Sequence, residues 1–333
     1  MIKFFRIFFI LVLTITLFSC SKTNNPTITF SIRDYAAQYA DDKVAIETFL
    51  RNHKFTNDSN FNVTFSTTIP DAPDCIYRQT DYPLLDTLVV QNGVDYHIKY
   101  IRFSQGLLSR PTQADSIYVS YRGRLLDTET AASNPPSVVD YSAYQFDSRQ
   151  NPIWLSLTDV ISGWRHIFPN FKTGTFSSGG ANPTNFANFG AGIMFLPSGL
   201  GYYANSAGII PQYAPLIFTF KLYHLRYRDQ DGDGILSKDE RLIGTNPLTN
   251  WTSNPLGYDT DGDGVWNMYD VDDDGDNYST KFETKKTGTD IGVGPSLYYP
   301  FNFTIQEPNG IPDCAGDKTS PTRLRKHLDP NCH

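Results

Sequence analysis

Carboxylates carry the clearest chemistry in this chain. The run Asp229-Gln230-Asp231-Gly232-Asp233-Gly234-Ile235-Leu236-Ser237-Lys238-Asp239-Glu240 places acids at its first, third and fifth positions, glycine at its sixth and glutamate at its twelfth. Ile235, at the seventh, offers a backbone carbonyl. Position by position this matches a calcium loop, in which alternate side chains point inward and the glycine permits a sharp turn. Hard oxygen donors of this kind select Ca²⁺ over softer metals. A second loop repeats the pattern with Asp259, Asp261, Asp263, Gly264 and the Val265 carbonyl, ending on the shorter acid Asp270. A third uses Asp272, Asp274, Asp276, the Tyr278 carbonyl and Glu283. Here Asn277 stands in the glycine position, where asparagine tolerates the left-handed turn. The expected cofactor is structural Ca²⁺, with none for catalysis.

The charge distribution agrees. The 333-residue chain has a net charge of −7, yet 14 Asp/Glu stand against 3 Lys/Arg between Asp229 and Glu283 alone. The rest of the chain is slightly basic. Acidity this local points to a cation site, and no stretch resembles a basic nucleic-acid face. With 19% charged and 14% aromatic residues, the composition suits an aromatic-rich, mostly β globular protein long enough for two domains.

A second candidate site centres on Val160-Ile161-Ser162-Gly163-Trp164. An apolar pair, a glycine expected to let the backbone turn, and a large flat ring form a unit suited to flooring a small apolar pocket. Upstream lie Val119-Ser120-Tyr121-Arg122-Gly123-Arg124-Leu125 and Tyr144-Gln145-Phe146-Asp147-Ser148. Downstream come Phe195-Leu196-Pro197, Leu200-Gly201-Tyr202, Gly208-Ile209-Ile210-Pro211 and Leu216-Ile217-Phe218.

In this order the pieces closely resemble the FKBP-type peptidyl-prolyl cis/trans isomerases, over about residues 95–225. The resemblance implies that Trp164 floors a prolyl pocket walled by Tyr121, Phe146, Val160, Ile161, Ile210 and Phe218. It implies that the Ile161 N–H and the Tyr202 hydroxyl donate to substrate carbonyls. Asp147 takes the place of a carboxylate that faces the twisted carbonyl and bonds the first tyrosine. Clients would be proline-containing polypeptides. Two departures imply a shallower pocket with altered preference: Pro152-Ile153 where the family has an aromatic after proline, and Tyr202-Tyr203 where it has Tyr-Gly. The rival expectation is a non-catalytic, calcium-dependent binding protein that uses the same cup to hold a partner's proline-containing segment. Further on, Gly244-Thr245-Asn246-Pro247 and Asp259-Thr260-Asp261-Gly262-Asp263-Gly264 resemble bacterial thrombospondin type 3-like repeats.

These residues need a scaffold, and the patterning predicts α+β: an antiparallel FKBP-like half-barrel sheet wrapped on one short helix, followed by a small calcium-loop segment. A helix is expected over 34–53, its apolar face of Tyr35, Tyr39, Ile46, Phe49 and Leu50 packing on the neighbouring domain. A strand is expected over 61–68, and from Thr87 a series of short strands separated by turns, among them 94–100, 116–126, 192–197 and 216–225. The short helix is expected over 158–168, capped by Thr158 or Asp159. Residues 128–141 and the Gly/Asn-rich 174–190 read as loops. The domains so expected are 21–93 as tether and extension, 94–226, 227–287, and a 288–333 tail with no nameable site.

The first twenty residues read as an address. Lys3 and Arg6 precede an apolar run ending in Leu17-Phe18-Ser19-Cys20, which resembles a bacterial lipoprotein signal with Cys20 as the lipidated N-terminus. An ordinary cleaved secretory signal is the alternative. The expected location is the cell envelope, anchored to a bacterial membrane, with the outer membrane favoured and either a periplasmic or a surface face. An oxidising compartment permits one disulfide. Cys314–Cys332 is the favoured pairing, with Cys75 to either tail cysteine as the alternative.

Overall fold

Six strands form the sheet that carries the molecule. In this computed structural model they run β3 (Leu84–Gln91), β4 (Val94–Ser104), β5 (Ser116–Leu125), β6 (Gln145–Ser156), β9 (Gly190–Leu196) and β10 (Leu216–Arg226), in spatial order β3-β4-β9-β10-β5-β6. Every neighbouring pair is antiparallel. The structure describes residues 31–126, 145–179, 182–240, 257–301, 310–320 and 322–332. The expected address with Cys20, the expected loop at 128–141 and Gly244-Thr245-Asn246-Pro247 lie outside them. The described residues from Asp34 onward belong to one compact unit. No helix among the described residues is long and apolar enough to cross a membrane.

Alternation in the strands builds a core on both faces of the sheet. On one face Ile117, Val119, Leu216, Phe218, Phe220 and Leu222 pack on α2 (Ser162–Ile167) and on Phe168 and Phe171 behind it. On the other, Ile101, Ile193, Phe195 and Ile217 meet Ile46, Phe49 and Leu50 of α1 (Tyr35–Asn52) and Val63 and Phe65 of the hairpin β1 (His53–Asn57) and β2 (Val63–Thr67). This is the packing expected of α1. Asp34 caps the helix by accepting from the Ala37 N–H at 2.9 Å. Buried Asp42 then pins it, accepting from the Ser198 N–H and hydroxyl, both at 2.7 Å, and from Gln38 Nε2 at 2.7 Å.

Three expectations need correction. The sheet starts at Leu84, because β3 pairs with β4 across the Asn92-Gly93 turn, so residues ahead of 94 belong to it. The short helix starts at Ser162, with Ile161 at its cap and no side-chain capping bond. Thr158 and Asp159 are occupied in the preceding turn, where the Ser156 and Thr158 hydroxyls bond at 2.7 Å and the Asp159 N–H bonds the Ser156 carbonyl at 3.1 Å. Residues 174–190 contain the hairpin β7 (Thr175–Gly179) and β8 (Asn182–Ala187). Its strands are polar, and its ring contacts are Phe176 on His224 at 5.2 Å and Phe186 on Tyr223 at 4.8 Å, with Phe176 still exposed. In the tail, Cys314 pairs with Cys332 across a Cα separation of 5.5 Å, while Cys75 is buried as a free thiol.

Candidate functional site

The first site lies where β5, β6, α2 and β10 converge. All of the expected wall residues gather in one cluster: Trp164, Ile210 and Phe218 are buried, and Tyr121, Phe146, Val160, Ile161 and Tyr202 are partly open above them. Trp164 meets Tyr121 edge-on at 4.9 Å and Phe218 at 5.1 Å, and Phe146 meets Phe218 at 5.5 Å. Edge-to-face contacts of this kind fix ring orientation. Asp147 Oδ2 accepts from the Tyr121 hydroxyl at 2.5 Å, while Oδ1 accepts from the Ser148 N–H at 2.7 Å. Burial first, and then the Asp147 carboxylate, push the Tyr121 hydroxyl well above its ordinary range, so it stays a neutral donor.

Register irregularities help to place these groups. The β5–β6 pairing slips between Val119 and Tyr121 and again between Gly123 and Arg124. Such bulges re-aim side chains beside a site. Gly123 lies between them for lack of room: a Cβ there would sit 2.5 Å from Phe146 Cε2 and 2.8 Å from Phe218 Cε1. Gly163 is also a matter of space. It lies inside α2 without a positive φ, and a Cβ would meet Leu196 Cδ2 at 2.7 Å, so the expectation that it turns the backbone is corrected.

Two potential donors remain uncommitted. The Ile161 N–H and the Tyr202 hydroxyl make no hydrogen bond among the described residues. Next to Tyr202, Tyr203 adopts φ 51°, the left-handed conformation that glycine takes most readily. Its ring stacks on Tyr35 of α1 at 4.1 Å and meets Tyr213 edge-on at 5.2 Å. The tyrosine thus anchors the N-terminal helix at the rim of the bowl.

The second site is the acidic segment, and its three loops share one internal wiring. The first-position carboxylates accept from the sixth-position N–H: Asp229 from Gly234 at 3.1 Å, Asp259 from Gly264 at 2.9 Å and Asp272 from Asn277 at 2.9 Å. Third-position acids accept from the fifth-position N–H, and fifth-position acids from the seventh: Ile235 to Asp233, Val265 to Asp263 and Tyr278 to Asp276 at 2.6–2.7 Å. Gly234, Gly264 and Asn277 have φ of 105°, 97° and 75°, so Asn277 does adopt the left-handed turn.

The first, third and fifth carboxylates of each loop come within 4.8 Å of one another. Glu240 is buried with both oxygens unpartnered among the described residues, and Glu283 likewise. Asp270 instead uses one oxygen on the Asp272 N–H at 3.0 Å. Burial, reinforced by neighbouring carboxylates, raises Asp233 to about 7, Glu283 to about 8 and Glu240 to about 11. Buried anions of this density are stable when paired or holding a metal, so the donor set fits a hard divalent cation.

Sequence reasoning misses two features here. The ninth residues Ser237, Asn267 and Thr280 are each at most 2% exposed and accept from the second-position N–H of Gln230, Thr260 and Asp273 at 3.1, 2.9 and 3.2 Å. A small polar residue recurring at that offset is the available signal. Asp273 falls at no ligand position of its own loop, yet it gathers with Asp233 and Glu240.

Comparison with known proteins gives five findings. The family model described as BamM C-terminal matches residues 230–311, less than half of the chain. No curated protein matches. Among solved structures, a peptidyl-prolyl cis-trans isomerase from Pseudomonas syringae pv. tomato is 17% identical, covering 59% of this chain and 98% of its own, with a TM-score of 0.33. FkpA from Escherichia coli is 18% identical over 57% of this chain and 60% of its own, at a TM-score of 0.32, and the N-terminal domain of FKBP42 from Arabidopsis thaliana is 14% identical over 44% and 94%, at 0.29. All three TM-scores lie well below 0.5.

Proposed function

We propose that this chain is an FKBP-type peptidyl-prolyl cis/trans isomerase of the bacterial cell envelope, tethered through a lipid on Cys20 and stiffened by calcium in its acidic segment. The supporting observation is the convergence of Trp164, Tyr121, Asp147, Phe146 and Phe218, distant in sequence, beside two uncommitted donors. The chemistry needs no nucleophile. An X–Pro bond turns over a barrier of about 18–20 kcal/mol because twisting breaks amide resonance, and unassisted exchange takes tens to hundreds of seconds. A site that binds the twisted amide better than the planar one lowers that barrier, with about 1.4 kcal/mol of preference giving tenfold in rate.

In this reading the prolyl ring rests on the Trp164 indole between Phe146, Val160 and Phe218. The Ile161 N–H and Tyr202 hydroxyl hold the flanking carbonyls. The Tyr121–Asp147 pair presents a fixed dipole to the rotating one. The calcium loops act as structural neighbours: Ca²⁺ neutralises carboxylates that otherwise repel. Clients are proline-containing segments of exported proteins.

The test is protease-free isomerisation of a short Xaa-Pro peptide by residues 21–333, beside Trp164→Ala and Asp147→Asn. Acceleration by the native chain and a loss of about tenfold or more in each variant supports catalysis. Tight peptide binding with no acceleration supports the rival binding role.

A further inference from the structure

We infer that the first calcium loop takes its last ligand from outside itself: Asp273, at the second position of the third loop, joins Asp229, Asp231, Asp233, the Ile235 carbonyl and Glu240 around one divalent cation, so that the ion clips the first loop to the third. This rests on the calcium reading above and adds to it a residue and a consequence.

On its own the first loop supplies one donor fewer than a loop that also uses its ninth position. Its side chains and the Ile235 carbonyl provide about six oxygens when Glu240 binds through both, whereas Ca²⁺ takes 6–8 and such loops use the ninth position, often through water, for another. Here the ninth position is closed. Ser237 is fully buried and its hydroxyl accepts from the Gln230 N–H at 3.1 Å.

Asp273 stands where the missing donor belongs. Carboxylate oxygens of Asp233, Glu240 and Asp273 lie within 4.8 Å of one another, on residues that are 2%, 5% and 2% exposed. Among the described residues, Asp233 Oδ2, both Glu240 oxygens and Asp273 Oδ1 have no hydrogen-bond partner. The neighbouring ammonium groups are committed elsewhere, Lys281 to the Gly232 carbonyl at 2.7 Å and Lys238 to Asp239 at 2.6 Å.

The equivalent residues of the other loops show why a second position can serve. Its N–H is held by the ninth residue, and its side chain is none of its own loop's ligands. Gln230 Nε2 reaches the Ala114 carbonyl at 3.0 Å, tying the first loop to the sheet. Thr260 stays within its loop, donating to Asn267 Oδ1 at 3.1 Å. Asp273 reaches the first loop. The ion therefore closes the chain between Glu240 and Asp273, a link that no single loop supplies.

The experiment is a calorimetric Ca²⁺ titration and thermal melt of residues 21–333, comparing the native chain with Asp273→Asn, Glu240→Gln and Asp239→Asn. Asp239 is a buried carboxylate adjoining Glu240 but paired with Lys238, so its variant controls for charge alone. Expected are a loss of tenfold or more in affinity for one ion in both Asp273→Asn and Glu240→Gln, with Asp239→Asn within threefold of native. In chelator Asp273→Asn melts above the native chain, since it removes a carboxyl whose charge is disfavoured by burial and then by neighbouring carboxylates, and in Ca²⁺ it melts below. Native affinity in Asp273→Asn, an equal loss in Asp239→Asn, or a lower melting temperature in both conditions overturns the shared site while leaving calcium binding intact. A native chain that takes up no Ca²⁺ removes the calcium reading and this inference together.

Discussion

At the scale of single residues, the bowl depends on contacts that a sequence names but does not place. The Tyr121 hydroxyl is fixed by Asp147 at 2.5 Å and stays protonated through the neutral range. Tyr121→Phe therefore lowers kcat/KM for peptide isomerisation by about tenfold without moving its pH profile between 6 and 9. Gly123 leaves space for two rings, and Gly123→Ala would push Phe146 and Phe218 apart. The expected cost is about 1–3 kcal/mol in denaturant unfolding, with a parallel loss of activity. Asp115 is a separate case. It is fully buried, accepts from the Thr112 N–H at 2.6 Å and the Arg228 N–H at 3.4 Å, and is raised by burial to about 6. A carboxyl raised above its unfolded value favours the fold at low pH and loses that contribution as pH climbs from about 4 through 6, amounting to about 3 kcal/mol for two units. Asp115→Asn should flatten this part of the stability curve, measured by chemical denaturation at saturating Ca²⁺.

At the scale of elements, legibility followed periodicity. The α1 helix, β2, β4, β5, β9 and β10 alternate or repeat in apolar residues, so each was readable within a few positions. The acidic loops are readable because their carboxylates are spaced by the backbone itself. The bowl's nine residues were readable through ordered motifs, and the structure brings them together. What escaped depends on tertiary neighbours. The β7–β8 hairpin is polar along its length and is held by ring contacts to Tyr223 and His224. Tyr203 occupies a glycine-like conformation because Tyr35, more than 160 positions away, stacks on it. Asp273 belongs to a neighbouring loop's carboxylate cluster, and no linear pattern states that. Within the third loop, Asn277 holds φ 75°, so Asn277→Ala should cost about 1–2 kcal/mol and weaken calcium uptake there, while Asn277→Gly should leave both nearly unchanged.

At the scale of the whole molecule, the acidic segment is tied to the sheet as well as to itself. Gln230 Nε2 bonds the Ala114 carbonyl at 3.0 Å, and Met268 packs on Ala114 in a small apolar cluster with Trp266. Calcium held by the native state only should stabilise the fold by about 2.7 kcal/mol per site at a hundredfold excess over Kd, read as a higher melting temperature that chelator reverses. The same integration argues against excising residues 95–226 as a catalytic unit, since β3 and α1 lie outside that span and pack on the sheet. The decisive measurement is therefore prolyl isomerisation of a short Xaa-Pro peptide by residues 21–333, followed without a coupling protease. The native chain should speed the exchange well beyond its spontaneous rate and Trp164→Ala should abolish most of that gain; indistinguishable rates for native chain, Trp164→Ala and buffer would contradict it.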